Sequence, residues 1–437
     1  MAFFMKRDAL GALDAWSENP LRAPLIIKGA RQVGKSWLVQ TFGRTFQHYV
    51  EINFEKNKVI RNLFQGDIQI ARLLETITLY TGKPIIPGKT LLFLDEIQEC
   101  PEAIIYLRYF KEELPALHVI AAGSLIEFAL RKVGVPVGRV DYLYLTPLSF
   151  AEFLEAASRA DLRAKALNVE HNVLIDSIFH DLLRTYLWLG GMPEVVQAWI
   201  ELHDIEKCQS IQDRLITSYK DDFHKYARKN QVEHVAKLFM RLPQQLGQKF
   251  TFSHVDPDLK ASILKNALQL LEQAGIVHLS YYSGSYTLPL AFGINEKFFK
   301  VFLLDLGLVQ RMLGFKQQDW MVLPMKPVHL GGLAEQFVAQ ELIAYQSKHT
   351  KAELFYWQRD AKNSQAEIDF LIGKDGHPIP IEVKSGKTGR LKSLNIYLNT
   401  HPQIPYGVKI SEGGFERAGR ILEIPLYGIA PWLQSTM

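Results

Sequence analysis

Between Gly29 and Gly34 stand Ala30, Arg31, Gln32 and Val33, and Lys35, Ser36 and Trp37 follow directly. This spacing is that of a loop whose backbone N–H groups turn inward around a phosphate. The two glycines permit the turn, and a helix opening at Gly34 presents the positive end of its dipole to the same anion. In this reading Lys35 reaches the β and γ phosphates of ATP or ADP. Ser36 offers a hydroxyl to Mg²⁺, a hard cation that prefers oxygen and rides on the nucleotide's phosphates. Further along, TLLFLDEIQEC is an apolar run ending in Asp95 and Glu96. At the C-terminal edge of a parallel strand, Asp95 can hold the Mg²⁺ shell while Glu96 polarises an attacking water.

Two more residues belong to this chemistry or to a blander one. HVIAAGSLIEF is apolar until Gly123-Ser124, so Ser124 either reports on a γ phosphate beside the Asp95 strand or caps the helix that follows. Arg139 precedes another strand and is either an arginine finger for transition-state charge or one half of a surface ion pair.

A second group of ionisable residues lies near the other end of the chain. LGGLAEQFVAQELIAYQ has a helical apolar stripe through Leu333, Phe337, Val338, Leu342 and Tyr345, with Glu335 on its flank. AEIDFLI alternates Ile368, Phe370 and Ile372 against Glu367, Asp369 and Leu371. Asp375-Gly376 marks a tight turn, and IPIEVKSG then puts Glu382 and Lys384 on one face. If the two strands pair through that turn, Asp369, Glu382 and Lys384 converge, and Glu335 completes the cluster. Carboxylates that hold Mg²⁺ or Mn²⁺, with a lysine to orient or deprotonate water, suit phosphodiester hydrolysis. An exposed Glu and Lys pair on a strand is otherwise an ordinary stabilising neighbour.

The elements that position these residues divide the 437-residue chain, which is too long for one core, into several units. A parallel-sheet domain is expected over 1–151. A helical lid follows over 152–228, where LLRTYLWL and AWIELHDIEKC have helical spacing. Two helices, VEHVAKLFMRLPQQLGQKF and ASILKNALQLLEQAG, then precede a hairpin of IVHLSYY, a turn at Gly284 and YTLPLAF. That order predicts a winged helix over 229–294, which either docks DNA through Lys260, Lys265 and His278 or docks a protein. A mixed α/β domain is expected over 295–437.

Fifty basic residues against 46 acidic ones give a net charge of only +4, which permits nucleic-acid binding without arguing for it. Cys100 and Cys208 form no CxxC pair, so neither a disulfide framework nor a zinc site is expected. No apolar run approaches the ~18 residues of a membrane span, and the N-terminal residues lack the order of a signal peptide, so the expected location is the cytoplasm.

GARQVGKS, FLDEIQ, AAGSL, GRVDYLYLTPLSFAEFL and GGMPEVV together resemble the bacterial and archaeal P-loop ATPases of the AAA+/STAND neighbourhood, which carry a C-terminal domain of unknown function. That resemblance implies ATP hydrolysis and places GGMPEVV, Gly190 to Val196, in the helical part packed on the nucleotide domain. Pro193 after two glycines would also simply start a helix. The order helix acid, strand Asp, hairpin and ExK resembles the PD-(D/E)xK core of restriction endonucleases and Holliday junction resolvases, with Glu335, Asp369, Glu382 and Lys384 filling its four positions. The expectation is therefore an α/β ATPase with a helical lid, a winged-helix middle domain and a restriction-endonuclease-like C-terminal domain that cleaves nucleic acid with a metal. The alternative is an ATP/ADP-switched scaffold whose nuclease-like domain binds without cleaving. An oligomeric motor would use Arg139 in trans.

Overall fold

The computed structural model describes residues 5–66, 68–134, 138–166, 173–315, 327–359, 366–384, 386 and 391–435. Five strands, β1 (Leu25–Lys28), β2 (His48–Asn53), β3 (Thr90–Asp95), β4 (His118–Ala122) and β5 (Asp141–Tyr144), form a parallel sheet in the order β2-β3-β4-β1-β5. Every residue of β1, β3 and β4 is buried. Helices cover both faces of such a sheet, which is why these strands read as unbroken apolar runs. Registers Ile27↔Ala122 and Asp95↔Ala122 align the strand ends, so the glycine loop, Asp95-Glu96 and Gly123-Ser124 share one edge.

The helix Phe150–Ala156 opens with a capping box between Ser149 and Glu152, so the boundary expected at 151/152 falls inside an element. The described part of the lid is helical: Val173–Leu189, Pro193–Leu202 and Ile205–Tyr226. Pro193 occupies the first turn, where its missing N–H costs nothing, and His203 at φ 50° closes that helix.

Three expectations for the middle of the chain are corrected. The helix begun at Val232 stops at Arg241, and Leu242–Gln245 is a 3-10 turn, because Pro243 lacks an N–H and restricts the residue before it. The hairpin partner of β6 (Val277–Ser283) is β7 (Ile294–Leu303), not YTLPLAF. Pro289 cannot donate to a ladder, and Leu290–Gly293 turns instead, its Leu290 carbonyl accepting from Ser283 Oγ at 2.7 Å. His278 lies in β6 rather than on a helix surface, and burial, aided by Lys351, pushes its imidazole down to about 4.

Strands β6 and β7 also do not end with the middle unit. They form one edge of an eight-stranded mixed sheet, ordered β12-β13-β11-β10-β9-β8-β6-β7. Its other members are β8 (Leu354–Gln358), β9 (Glu367–Lys374), β10 (His377–Val383), β11 (Gly407–Ser411), β12 (Glu416–Ala418) and β13 (Ile421–Pro425). The boundary expected at 294/295 therefore falls at the start of β7. The β9–β10 hairpin turns through Asp375 and Gly376, at φ 50° and 78°, the two left-handed residues such a turn demands. Rings of Phe302 on β7 and Phe370 on β9 lie 5.4 Å apart, so the sheet curls until its edge strand faces its centre.

The helix Pro327–Tyr345 runs between this sheet and the nucleotide domain. Of the apolar stripe read from the sequence, Leu333, Phe337, Val338 and Leu342 are buried and Tyr345 is half-buried, but Gln336, Gln340 and Glu341 on its other sides are buried too. Buried polar groups require partners, and each of these side chains bonds to a different part of the molecule. Gln336 accepts from Leu303 N (2.9 Å) and donates to Leu303 O (2.7 Å). Gln340 accepts from Leu306 N and donates to the Tyr186 hydroxyl, which donates in turn to Leu148 O. Glu341 accepts from Phe150 N at 2.9 Å, and Tyr345 donates to Ser149 Oγ at 2.9 Å.

Candidate functional site

The glycine loop is held at several points. Gly29 has φ 155° and lies so near Leu145 O that a Cβ would come within 2.3 Å of it; Gly34 has φ 95° and caps the helix Lys35–Gly43. Gln32 adopts φ 64°, a conformation costly for a residue with a Cβ, and the surroundings must therefore enforce it. Buried Arg7 donates to Val33 O (2.9 Å) and Thr146 O (2.6 Å) and pairs with buried Glu152 at 3.1 Å. From the lid, Tyr219 donates to Arg31 O at 2.7 Å, while both Asp222 carboxylate oxygens accept from Arg31, at 2.8 and 2.9 Å, and Lys225 pairs with Asp222 at 3.0 Å. Trp37 packs against the core behind the loop.

Inside the loop, Lys35 Nζ donates to Gly29 O (3.0 Å) and Ala30 O (2.7 Å), and burial pushes its ammonium down to about 8. A phosphate there would restore the charge. Ser36 Oγ lies 3.0 Å from both carboxylate oxygens of Asp95, and Asn53 Nδ2 donates to Asp95 Oδ2 at 3.0 Å. Burial, then the neighbouring Glu96, pushes Asp95 up to about 6. These adjoining hard oxygens fit a Mg²⁺ brought by nucleotide, with Ser36 and Asp95 as its protein partners. Glu96 stands at φ 51°, strained as residues at working sites often are, and accepts from Gln98 Nε2 at 2.6 Å.

Ser124 borders a cavity of about 230 Å³ beside Gly29 and Ala30, closed on its other side by Gly275 and Lys348. It does not cap a helix: Ile126–Val133 begins two residues later, with Leu125 at the cap position and no side-chain cap bond. Arg139 pairs with Glu112 at 2.9 Å, near Asp141, which sits beside the first residue of β1. That is the sheet edge opposite the glycine loop, so within one chain Arg139 does not meet the phosphate site. Asn53 and Gln98 are additions that the sequence reading missed. Asn53 was findable as a polar end to the strand beside β3, whereas Gln98 depends on a turn that no pattern announces.

In the C-terminal sheet, Glu335, Asp369, Glu382 and Lys384 do come together. Val383 N donates to Asp369 Oδ2 at 2.8 Å, and Lys384 Nζ donates to Glu382 Oε1 at 2.5 Å. A residue outside the expected set lies among them. Lys300 of β7, fully buried, reaches Glu335 at 3.0 Å, Glu367 at 2.6 Å and Asp369 at 3.6 Å. Burial alone would lower its pKa, but Glu335, Asp369 and Glu367 outweigh that and raise it well above the ordinary lysine range. Burial drives the Glu335 and Glu382 carboxyls upward. Among the described residues, no three His, Cys, Asp or Glu side chains are arranged to hold a metal ion.

With this geometry in hand, the chain's similarities are informative. Residues 21–154 match the family described as AAA domain, 180–319 a domain of unknown function (DUF8612), and 330–427 a domain of unknown function (DUF4143). Residues 21–154 are thus similar to AAA domains over the stretch that holds the parallel sheet and the glycine loop. No curated protein matches the sequence. Among solved structures, the Walker-type ATPase PABY2304 of Pyrococcus abyssi is similar at 13% identity and TM-score 0.46, over 71% of this chain and 96% of that one. A STAND protein with a tetratricopeptide repeat sensor from Pyrococcus horikoshii is similar at 11% identity and TM-score 0.29, over 78% of this chain and 48% of that one. The ORC1 protein of Aeropyrum pernix, solved in complex with DNA, is similar at 12% identity and TM-score 0.27, over 71% and 93%. Likeness at this level leaves the function to the chain's own geometry. No described helix is long and apolar enough to cross a membrane.

Proposed function

We propose that this chain binds ATP with Mg²⁺ at the glycine loop, hydrolyses it, and passes its nucleotide state to a nuclease-like C-terminal domain that engages nucleic acid. Lys35 faces the β and γ phosphates, Ser36 and Asp95 hold the Mg²⁺ shell, and Glu96, steadied by Gln98, polarises the attacking water. Ser124, at the adjoining strand end, senses the γ phosphate.

The observation that carries the coupling is the helix Pro327–Tyr345. Glu335 bonds into the acidic cluster at one end, while Glu341 and Tyr345 bond to Phe150 and Ser149, just beyond β5 of the ATPase domain. A shift at the nucleotide edge would be felt through this buried, fully bonded helix, because packed elements move as units. Support for the nuclease-like reading comes from the element order: that helix, antiparallel β8, β9 and β10, the helix Lys392–Thr400, then β11 parallel to β10. Whether such a domain cuts or only binds turns on its cation. Lys300, at the centre of the carboxylates, favours the switched binder over the metal-dependent nuclease.

Glu96→Gln tests the assignment. It should leave ATP affinity within about threefold of wild type while lowering turnover about 100-fold or more, since the Mg²⁺ shell survives and the water loses its base. Phosphate release and calorimetric titration measure the two effects; wild-type turnover would remove Glu96 from the mechanism. DNA and RNA binding with ATP and with ADP tests the coupled domain, and equal affinities for every nucleic acid in both states would count against a switch.

The helix also predicts a pH effect. Burial, opposed by the Phe150 N–H and reinforced by the Glu152 and Asp8 carboxylates, pushes Glu341 up to about 8. A carboxyl raised in the folded state stabilises the fold below its unfolded value near 4.5, and that contribution is lost as pH rises through about 8. Glu341→Gln keeps an acceptor for Phe150 N without the charge. Its stability gain over wild type should be near zero at pH 4 and grow to about 4 kcal/mol at pH 8, read from urea unfolding at the two pH values. A pH-independent difference would contradict the assignment.

A further inference from the structure

The PD-(D/E)xK resemblance implies a divalent cation among Glu335, Asp369 and Glu382, and the residues present do not fit one. A divalent cation bound by those carboxylates needs their oxygens directed at a common point 2.0–2.6 Å away. Here Glu335 Oε2 and Asp369 Oδ1 are directed at Lys300 Nζ, at 3.0 and 3.6 Å, and Glu367 Oε1 joins them at 2.6 Å. The other Asp369 oxygen is committed to Val383 N, and Glu382 Oε1 to Lys384. Glu335 is confined as well, for a Cβ on Gly247 would stand 2.8 Å from its Oε1.

We infer that the Lys300 ammonium is a built-in substitute for the divalent cation of this core, occupying Glu335, Glu367 and Asp369 and leaving Glu382 Oε2 as a buried carboxylate oxygen without a hydrogen-bond partner, so that the domain does not cleave phosphodiesters. Three features support this. Lys300 is fully buried, and an ammonium is retained in such a place only where carboxylates and hydrogen bonds offset its desolvation. It arrives from β7, an edge strand outside the element order of the nuclease-like core, and reaches the cluster through the curl of the sheet. Four carboxylates, Glu335, Glu367, Asp369 and Glu382, face two ammonium groups, Lys300 and Lys384. A dication added to the same carboxylates would have to displace the Lys300 ammonium from its three carboxylate partners while it stays buried. The inference rests on the nuclease-like reading only for the identity of the ion replaced, and it is independent of the ATP site.

Manganese titration of the full chain without nucleotide, followed by electron paramagnetic resonance, tests it. Wild type should bind no Mn²⁺ tighter than millimolar. Lys300→Met, similar in length and uncharged, should gain one site at least about tenfold tighter, and Asp369→Asn added to it should abolish the gain. Lys300→Arg, which retains the charge, should remain without metal. Wild-type binding of one Mn²⁺ that Asp369→Asn removes would overturn the inference, as would cleavage of single-stranded, duplex or branched DNA or RNA by wild type. A folded Lys300→Met chain that gains no Mn²⁺ would overturn it too. If Lys300→Met does not fold, the wild-type titration and cleavage assays decide alone. ATP turnover measured on the same wild-type preparation separates failure here from failure of the nucleotide reading.

Discussion

Lys35→Ala should weaken ATP binding by at least about 100-fold, beyond the reach of calorimetric titration at ordinary concentrations, while the chain stays folded. Hydrogen bonds from a charged donor contribute about 1.5–3 kcal/mol each, and more than one is lost when the ammonium facing the phosphates is removed. The fold survives because Lys35 donates only to two loop carbonyls, Gly29 O and Ala30 O, and its burial works against the charge, as its fall to about 8 indicates. Circular dichroism should be unchanged. A dissociation constant within threefold of wild type would place the phosphates elsewhere.

The second large effect is on stability, at Gly191→Ala. Gly191 lies where three parts of the chain meet: Leu148 N donates to Gly191 O at 2.7 Å, and Gly191 N donates to Asp305 Oδ2 at 2.6 Å. A Cβ on Gly191 would stand 2.1 Å from Leu148 O and 3.0 Å from Leu148 N and C, all backbone that cannot swing aside. The segments would have to separate, losing two buried hydrogen bonds and close packing. The expected cost is about 3–5 kcal/mol, a large part of the total stability of a typical protein, so urea unfolding should shift strongly or soluble protein fail to accumulate. A change below about 1 kcal/mol would mean that this joint is looser than its geometry. Its partner Asp305 is carried on the turn into the helix Leu306–Met312, whose Gly307 is under the same constraint from Leu189 O at 2.1 Å.

That joint also shows what a sequence can and cannot convey. Gly29, Gly34, Lys35, Ser36, Asp95 and Glu96 were legible because strand, loop and helix follow one another directly, and local spacing carries the geometry. Asp369, Glu382 and Lys384 were legible for a similar reason: a two-residue turn with left-handed Asp375 and Gly376 fixes the register of β9 against β10. GGMPEVV read as a helix start, and so it is, but the need for Gly190 and Gly191 comes from Asp305 and Leu148, far away in sequence. Lys300 carries no signal in the sequence, because INEKFFKVFL has no motif and its burial depends on the curl of a sheet that joins the middle of the chain to its end. The same long-range pairing sets β7 as the β6 partner and carries the sheet across the boundary expected at 294/295. The amphipathic stripe of Pro327–Tyr345 is legible in the sequence, whereas the burial of Gln336, Gln340 and Glu341 depends on partners at Leu303, Leu306 and Phe150, distant in sequence.

Amide exchange along that helix tests whether the nucleotide site and the C-terminal domain are coupled. The full chain carrying Glu96→Gln would be compared without nucleotide and with ATP and Mg²⁺, so that the bound state persists through the measurement. Coupling predicts that amides of residues 331–345 change exchange rate by about tenfold or more, together with the glycine loop and the lid helix Ile205–Tyr226. A response confined to the loop, β3 and the lid, with residues 331–345 exchanging identically in both states, would contradict it.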